Sequence, residues 1–458
     1  MAGIGFQLRK ILGKGDLGST VGALISGVFI VAGPWLISVL AMAILQTLFS
    51  RYSVPRVEVF QVVIIYCYAF SLSLFAGIHH LFTRLVADLA WENRNGEAAS
   101  WMLRFVVLTA LLAAAIALPA LYLLPFSADL DPGLLRLSSV FLFMAVNVTW
   151  IVLLFISLLK DYRIILGVFA LGMAASVGGA LSLGQLRGPG GAVLGYTLGM
   201  TLIDVLFILV ALLRHPPEPV QDGWTKVRIY TRRYRALILS GVCFYGGQWL
   251  DKFVFWLIRG QSVEGTPFRI YAEYDIAVYI AGLSVIPGLV YFIIIAETQL
   301  YTDLKHFLFT LNHASWRRIQ EAKGRLSGGI RGEMRDQLTL QAACTLALAT
   351  LILALRPAGL ATPAMALSLL AALFQFTLLT LLVYLYYFEL YDRALMAAFL
   401  YALLNGLGTI GLYTVFPGLP AGLSHVMAGM VGSLAAVLML RDAVFRMDKI
   451  IFRRVLKG

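Results

Sequence analysis

Three polar side chains inside an apolar stretch are the first sign of function in this sequence. Gln248, Asp251 and Lys252 fall within residues 236–258, which are otherwise apolar enough to cross a bilayer. Ionised groups are costly in hydrocarbon, so such residues face a bundle interior or a water-filled cavity. Gln248 lies one helical turn from both Asp251 and Lys252. The three suit hydrogen bonding to a passing solute, or an ion pair between helices. Asp204 is a lone acid in the apolar run 191–213. It is a candidate for proton or cation coupling, or for a structural hydrogen bond. His79, His80 and Arg84 cluster near the end of the run 57–83, as a candidate cytoplasmic gate or as solvated interfacial residues. Asn147, Gln375 and Asn405 suit hydrogen bonds between helices.

Trp35 and Trp249 lie nearer the middle of their apolar runs than the ends, where membrane Trp is usual. Either they pack within the bundle, or they offer flat surfaces to the apolar faces of sugar rings. Pro34, after Gly33, predicts a kink, and Gly246-Gly247 predicts a loosened helix at the matching place. Enzyme chemistry has little support. The sequence contains no Walker A, HExxH, paired CxxC or GxSxG pattern. Cys67, Cys243 and Cys344 all fall in apolar runs, without metal-ligand spacing. No metal site, cofactor or catalytic residue is expected.

The elements that must position these residues are repeated. Residues 26–36 read SGVFIVAGPWL and residues 240–250 read SGVCFYGGQWL. TRLVADL at 83–89 is echoed by TQLYTDL at 298–304. Two matches in the same order, at nearly the same offset, imply a duplicated unit slightly shorter than half the chain. Duplicated membrane halves are the usual plan of transporters, with the site between them.

The composition agrees: 60% of residues are hydrophobic, only 13% are charged, and mean hydropathy is +0.85. The sequence predicts an all-α polytopic membrane protein with twelve transmembrane spans. These lie near 20–49, 57–83, 103–124, 135–159, 163–184, 191–213, 236–258, 275–296, 337–356, 363–388, 394–416 and 421–440. With the N-terminus inside, 28 of the 36 Lys and Arg residues fall in inner segments. That bias places both termini in the cytoplasm, and it explains the net charge of +12 without nucleic acid.

The expected domains are an amphipathic segment 1–19, an N-lobe 20–213, a cytoplasmic linker 214–235, a C-lobe 236–440 and a basic tail 441–458. Pro216-Pro217-Glu218-Pro219 makes the linker stiff and non-helical. The cytoplasmic segment 297–336 reads as helical up to a break at Gly328-Gly329. It suits anionic headgroups or, through Trp316, Arg317 and Arg318, a cytosolic partner. In the tail, Arg446, Lys449, Arg453 and Lys457 form a basic stripe opposite Val444, Met447, Ile451 and Val455, as in interfacial helices.

The opening MAGIGFQLRKIL, followed by AGPWL in the first span, resembles the exporter subunit of the Pel exopolysaccharide system, the PelG family. That family is placed in the multidrug/oligosaccharidyl-lipid/polysaccharide flippase superfamily. The resemblance implies two six-helix bundles forming a V, with spans 1, 2, 7 and 8 lining the central cavity. It implies work in the bacterial inner membrane, supplying a biofilm matrix. The implied partners are a cytosolic glycosyltransferase, a cyclic-di-GMP-binding membrane receptor and a tetratricopeptide-repeat membrane protein. The implied polymer is rich in N-acetylgalactosamine and is deacetylated after crossing. No site residues carry over from the family.

The sequence leaves other functions open: a lipid-linked oligosaccharide flippase, a cation-coupled drug antiporter, or a scaffold for a synthase complex. Headgroup-binding flippases need cationic lumen residues. Spans 1 and 2 have none above their cytoplasmic ends, and span 7 offers only Lys252, which favours a neutral glycan. The topology predicts that a single cysteine replacing Gly324 resists an impermeant maleimide in intact spheroplasts. It reacts once the cytoplasmic face is opened. Labelling from the periplasmic side overturns the orientation.

Overall fold

The computed structural model describes residues 17–158, 162–220, 223–355 and 359–446. Of the segment 1–19 only 17–19, and of the tail 441–458 only 441–446, fall within the described residues. The first seven helices are α1 (Leu17–Arg51), α2 (Val57–Trp91), α3 (Asn95–Leu123), α4 (Pro132–Leu158), α5 (Tyr162–Arg214), α6 (Gly223–Arg233) and α7 (Arg235–Ile258). A small hairpin follows, β1 (Gln261–Ser262) paired antiparallel with β2 (Arg269–Ile270). Then come α8 (Ala272–Leu283), α9 (Ile286–Tyr291), a π-helical turn (Phe292–Ala296) and α10 (Glu297–His313). The chain ends in α11 (Trp316–Leu355), α12 (Pro363–Tyr387), α13 (Tyr391–Val415) and α14 (Leu423–Phe445).

Among the described residues, ten helical stretches are long and apolar enough to cross a membrane. One of them, in α5, is a hairpin. Arg187 and Gly188 leave helical geometry, Gly188 at φ +63, and Pro189 follows. The halves then pack backbone to backbone: a Cβ on Gly195 would lie 2.1 Å from the Gly179 carbonyl carbon. Ser176 Oγ donates across to Tyr196 O at 3.0 Å. α7 is not among the ten, because Gln248, Asp251 and Lys252 dilute its hydropathy.

The helices form two compact units. One is Gly33–Tyr271; the other joins residues up to Ala32 with those from Ala272 onward. The lobe boundary expected from sequence is the 214–235 linker. The packing divides elsewhere, because α7 lies along α2. In the first unit α2 is central, with α3, α4, α5 and α7 against it. Phe75 meets Phe143, and Phe82 meets Phe105, edge-on or tilted in its core.

The linker is docked. Its proline-rich stretch is non-helical, as expected. Glu218 N donates to Gly96 O at 3.2 Å, and Ser100 Oγ donates to Glu218 O at 2.6 Å. α6 then lays Lys226 Nζ 3.1 Å from Glu97 Oε1. Glu97 is buried, and Arg94 and the Trp101 indole also bind it. The Tyr230 hydroxyl donates to Asp88 at 3.0 Å. Burial, and then the Asp88 carboxylate, push the Tyr230 phenol above its ordinary pKa.

Two local expectations are corrected. α11 runs through Gly328-Gly329 without a break; the interruption is at Ala314, which is extended. Gly329 serves packing instead: a Cβ there would lie 2.8 Å from Asp303 Oδ2 on α10. Gly246 and Gly247 are likewise helical within an unbroken α7.

Glu97→Ala removes the buried carboxylate that holds Lys226 and Arg94, and with it the ion pairs that tie α6 to α3. We expect a lowered unfolding midpoint and new tryptic cleavage between residues 214 and 235. Unchanged resistance to trypsin would show that the linker is held by its backbone contacts alone.

Candidate functional site

The repeated phrase places its second copy at a tight helix crossing. Gly241 faces His80: a Cβ there would meet the imidazole Nδ1 at 2.3 Å. From the other side, a Cβ on Gly77 would lie 3.0 Å from Ile238 and 3.1 Å from Val242. Small residues let the two backbones close in this way. α2 and α7 are thereby locked in register.

That register brings aromatic residues together. Trp249, Phe253 and Trp256 recur at helical spacing along one stripe of α7, and Tyr66 and Phe70 along α2. Phe70 stacks on Phe253, with ring centroids 5.0 Å apart and planes at 12°. Trp249 stacks on Phe253 at 6.3 Å and 21°. Tyr66 stacks on Trp256 at 4.5 Å and 16°, and meets Phe268 of the hairpin at 4.6 Å. The Tyr66 hydroxyl donates to Arg269 O at 2.8 Å and accepts from Arg269 N at 3.1 Å, which fixes the hairpin on α2. Phe70 stays 37% exposed, and Trp249 and Phe253 are half-buried. Trp249 Nε1 is buried with no partner among the described residues. The seam thus presents partly exposed aromatic faces at Phe70, Trp249 and Phe253.

The charged candidates behave differently. Asp251 is completely buried and Lys252 nearly so, with Nζ 3.1 Å from Asp251 Oδ1. Lys252 Nζ also donates to the backbone oxygen of Gln248 at 2.7 Å. Gln248 itself is half-buried. Asp204 is buried in α5 and accepts a 2.6 Å hydrogen bond from Thr149 on α4. Asn147 accepts from Ser71 at 2.9 Å and so joins α4 to α2.

Trp35, the repeat partner of Trp249, is 39% exposed on α1, and Pro34 beside it stays within that helix. Of the gate candidates, His80 packs on α7 and its Nδ1 lies 2.9 Å from Ala76 O. His79 points instead toward Trp150, ring centroids 6.2 Å apart. Arg84 pairs with Asp88 at 3.1 Å and lies over Tyr234 at 4.9 Å. Trp316, Arg317 and Arg318 are all exposed at the start of α11. Sequence reasoning missed Tyr66, Phe70, Phe253, Trp256 and Phe268. The four-residue spacing of Trp249 and Phe253, and of Tyr66 and Phe70, was the available signal.

Solved structures share this fold. An outward-facing multidrug resistance transporter of the MATE family, in the MOP superfamily, has a TM-score of 0.59 and 12% identity; the match covers 92% of this chain and 96% of that one. A MATE protein in complex with MaD5 gives 0.58 at 12% identity, over 92% and 96%. The Vibrio cholerae MATE transporter VcmN in its bent form gives 0.56 at 12%, over 92% and 98%. No curated protein matches the sequence. The fold is therefore that of a helical membrane transporter of the MATE type. The family of exopolysaccharide exporters PelG (EPS-E) matches residues 1–452. The chain belongs to that family and is a membrane exporter.

Asp251→Ala removes the carboxylate 3.1 Å from the buried Lys252 ammonium, and breaking a buried ion pair typically costs about 3–5 kcal/mol. Asp251→Ala combined with Lys252→Met recovers most of that loss in a chemical or thermal unfolding series. A single substitution that leaves stability unchanged would show that the pair is not structural.

Proposed function

We propose that this exporter passes a growing polysaccharide from a cytosolic glycosyltransferase across the bacterial inner membrane, to supply a biofilm matrix. The observation that carries the reading is the aromatic seam of α2 and α7 in a chain of the exopolysaccharide exporter family. The cargo moves along Trp249, Phe253 and Phe70, with Trp35 and Gln248 on the same path. Asp251, Lys252 and Asp204 keep the scaffold neutral beside it, and His79, His80 and Arg84 set the packing at its inner end. Twelve spans in two six-helix lobes, with both termini cytoplasmic, remain our topology. It is supported by the repeat, the charge bias and the α5 hairpin. The chain carries cargo and performs no catalysis.

The turn between α10 and α11 is the docking point for the glycosyltransferase. Phe309 and Trp316 are 64% and 60% exposed there, beside Arg317 and Arg318. A cyclic-di-GMP-binding receptor and a tetratricopeptide-repeat protein complete the assembly.

Trp249→Ala, Phe253→Ala and Trp35→Ala should each cut secreted polymer several-fold, with protein abundance and co-purification of the synthase unchanged. Trp249→Phe should restore part of the export. Pure core packing predicts the reverse, loss of folded protein, because truncating a buried aromatic costs about 3–5 kcal/mol.

A further inference from the structure

The side chains of α6 divide between two faces. Lys226 Nζ reaches Glu97 and the Tyr230 hydroxyl reaches Asp88, so the face that carries Lys226, Val227 and Tyr230 is turned to α2 and α3. The opposite face is left outward. Trp224, Arg228 and Arg232 follow one another along it at four-residue spacing, with Ile229 beside them. Trp224 is 50% exposed and Ile229 56%, and both arginines are exposed as well. Arg235 extends the exposed basic run into the first residue of α7.

The contacts of α6 also set its level in the bilayer. Asp88 lies in the last turn of α2 and Glu97 in the first turn of α3, where the chain turns round between two apolar runs. Trp224 meets Trp101 of α3 edge-on, ring centroids 5.7 Å apart, and Phe105 at 6.4 Å. The apolar run of α3 begins near residue 103, so this indole lies at its edge, the level at which membrane tryptophans collect. α6 is therefore tied to the bundle on one side and open to the membrane boundary on the other. Apolar side chains at that boundary beside arginines are the pattern of an interfacial helix.

The charge on the open face is uncompensated. Nearby, Arg84 pairs with Asp88, and Arg94 pairs with Glu92 and Glu97. Arg228, Arg232 and Arg235 have no carboxylate partner among the described residues. Hydration alone would account for the arginines, but not for an indole and an isoleucine left open among them. A guanidinium presents a planar fork of donors that fits phosphate oxygens. Basic side chains at the membrane surface attract anionic headgroups. A phosphate with acyl chains attached is the one ligand that meets both the charge and the apolar groups of this face.

We infer that α6 holds an anionic phospholipid, its headgroup phosphate bound by Arg228, Arg232 and Arg235 and its acyl chains against Trp224 and Ile229. The inference is independent of the cargo, and its test reads lipid binding rather than export. The full chain is reconstituted in phosphatidylcholine vesicles that contain a minor fraction of brominated lipid, either phosphatidylglycerol or phosphatidylcholine. The fluorescence quenching that disappears in Trp224→Phe belongs to Trp224. At equal bromine content it should be several-fold stronger with the brominated phosphatidylglycerol. Arg228→Gln combined with Arg232→Gln should lower that preference about tenfold in relative association, and high salt should weaken it in the unsubstituted chain. A fluorophore on Thr225→Cys, also exposed on α6, reads the same preference if Trp224→Phe fails to fold. Equal quenching by the two lipids, as expected of a face covered by a cytosolic protein, would overturn the site. So would a preference that survives both arginine substitutions, or displacement of the lipid by soluble glycerol phosphate.

Discussion

The close crossing of α2 and α7 is the constraint from which the rest of the first unit follows. It exists because Gly77 and Gly241 leave room for Ile238 and for the His80 ring. Once the backbones close there, the side chains about two to four turns further along are brought together. Tyr66, Phe70, Phe253 and Trp256 then have nowhere to go except onto one another. The same crossing assigns α7 to the unit of the earlier helices, although the repeat assigns it to the second copy. The docked linker reinforces the assignment. Glu97 and Asp88, on the α2–α3 side, hold α6 immediately before α7 begins. Backbone proximity, aromatic stacking and a buried carboxylate therefore all act on the same element.

Polar groups buried in the apolar stretches have partners close at hand at two sites: Lys252 pairs with Asp251, and Asp204 accepts from the Thr149 hydroxyl. In a medium without water, an unmatched charge would be expelled or neutralised. This explains why Asp251 and Lys252, the most conspicuous residues in the sequence, are the least accessible in the structure. Their visibility came from rarity in apolar sequence. Rarity marks a cost that must be compensated, and compensation by a neighbour is the simplest form.

Much of the fold was legible because bilayer spans are long and uninterrupted, so composition alone finds them. The α5 hairpin was legible too: Gly188-Pro189 stops one helix and starts the next. Glycine was harder to interpret. At Gly328-Gly329 and Gly246-Gly247 it suggested a break or a loosened helix, yet both pairs lie inside continuous helices. In an apolar bundle a glycine that costs helix propensity is offset by a neighbour's approach, as Asp303 approaches Gly329. Which outcome applies depends on what lies opposite, and a single sequence does not contain that. The docking of the linker was not legible for the same reason, since Glu97 and Asp88 lie more than a hundred residues earlier in the chain. The aromatic seam was half legible: Trp249 drew notice through the repeat, while its stacking partners looked like ordinary apolar filling.

The seam also bears on how a polymer could move without stalling. A charged site holds a ligand at one geometry, and release then requires breaking strong, directional bonds. Stacked rings behave otherwise. Phe70, Phe253 and Trp249 are held nearly parallel by one another, so little side-chain entropy disappears when a sugar lies against them. Each successive unit of a glycan presents a similar apolar face, so a ring vacated by one sugar is covered by the next. The free-energy profile along such a surface is shallow. On the proposed path, the work of moving the chain then falls to its extension by the synthase rather than to a cycle of tight binding and release. A mutually stacked seam suits that task better than a water-filled cavity lined by Asp251 and Lys252 would.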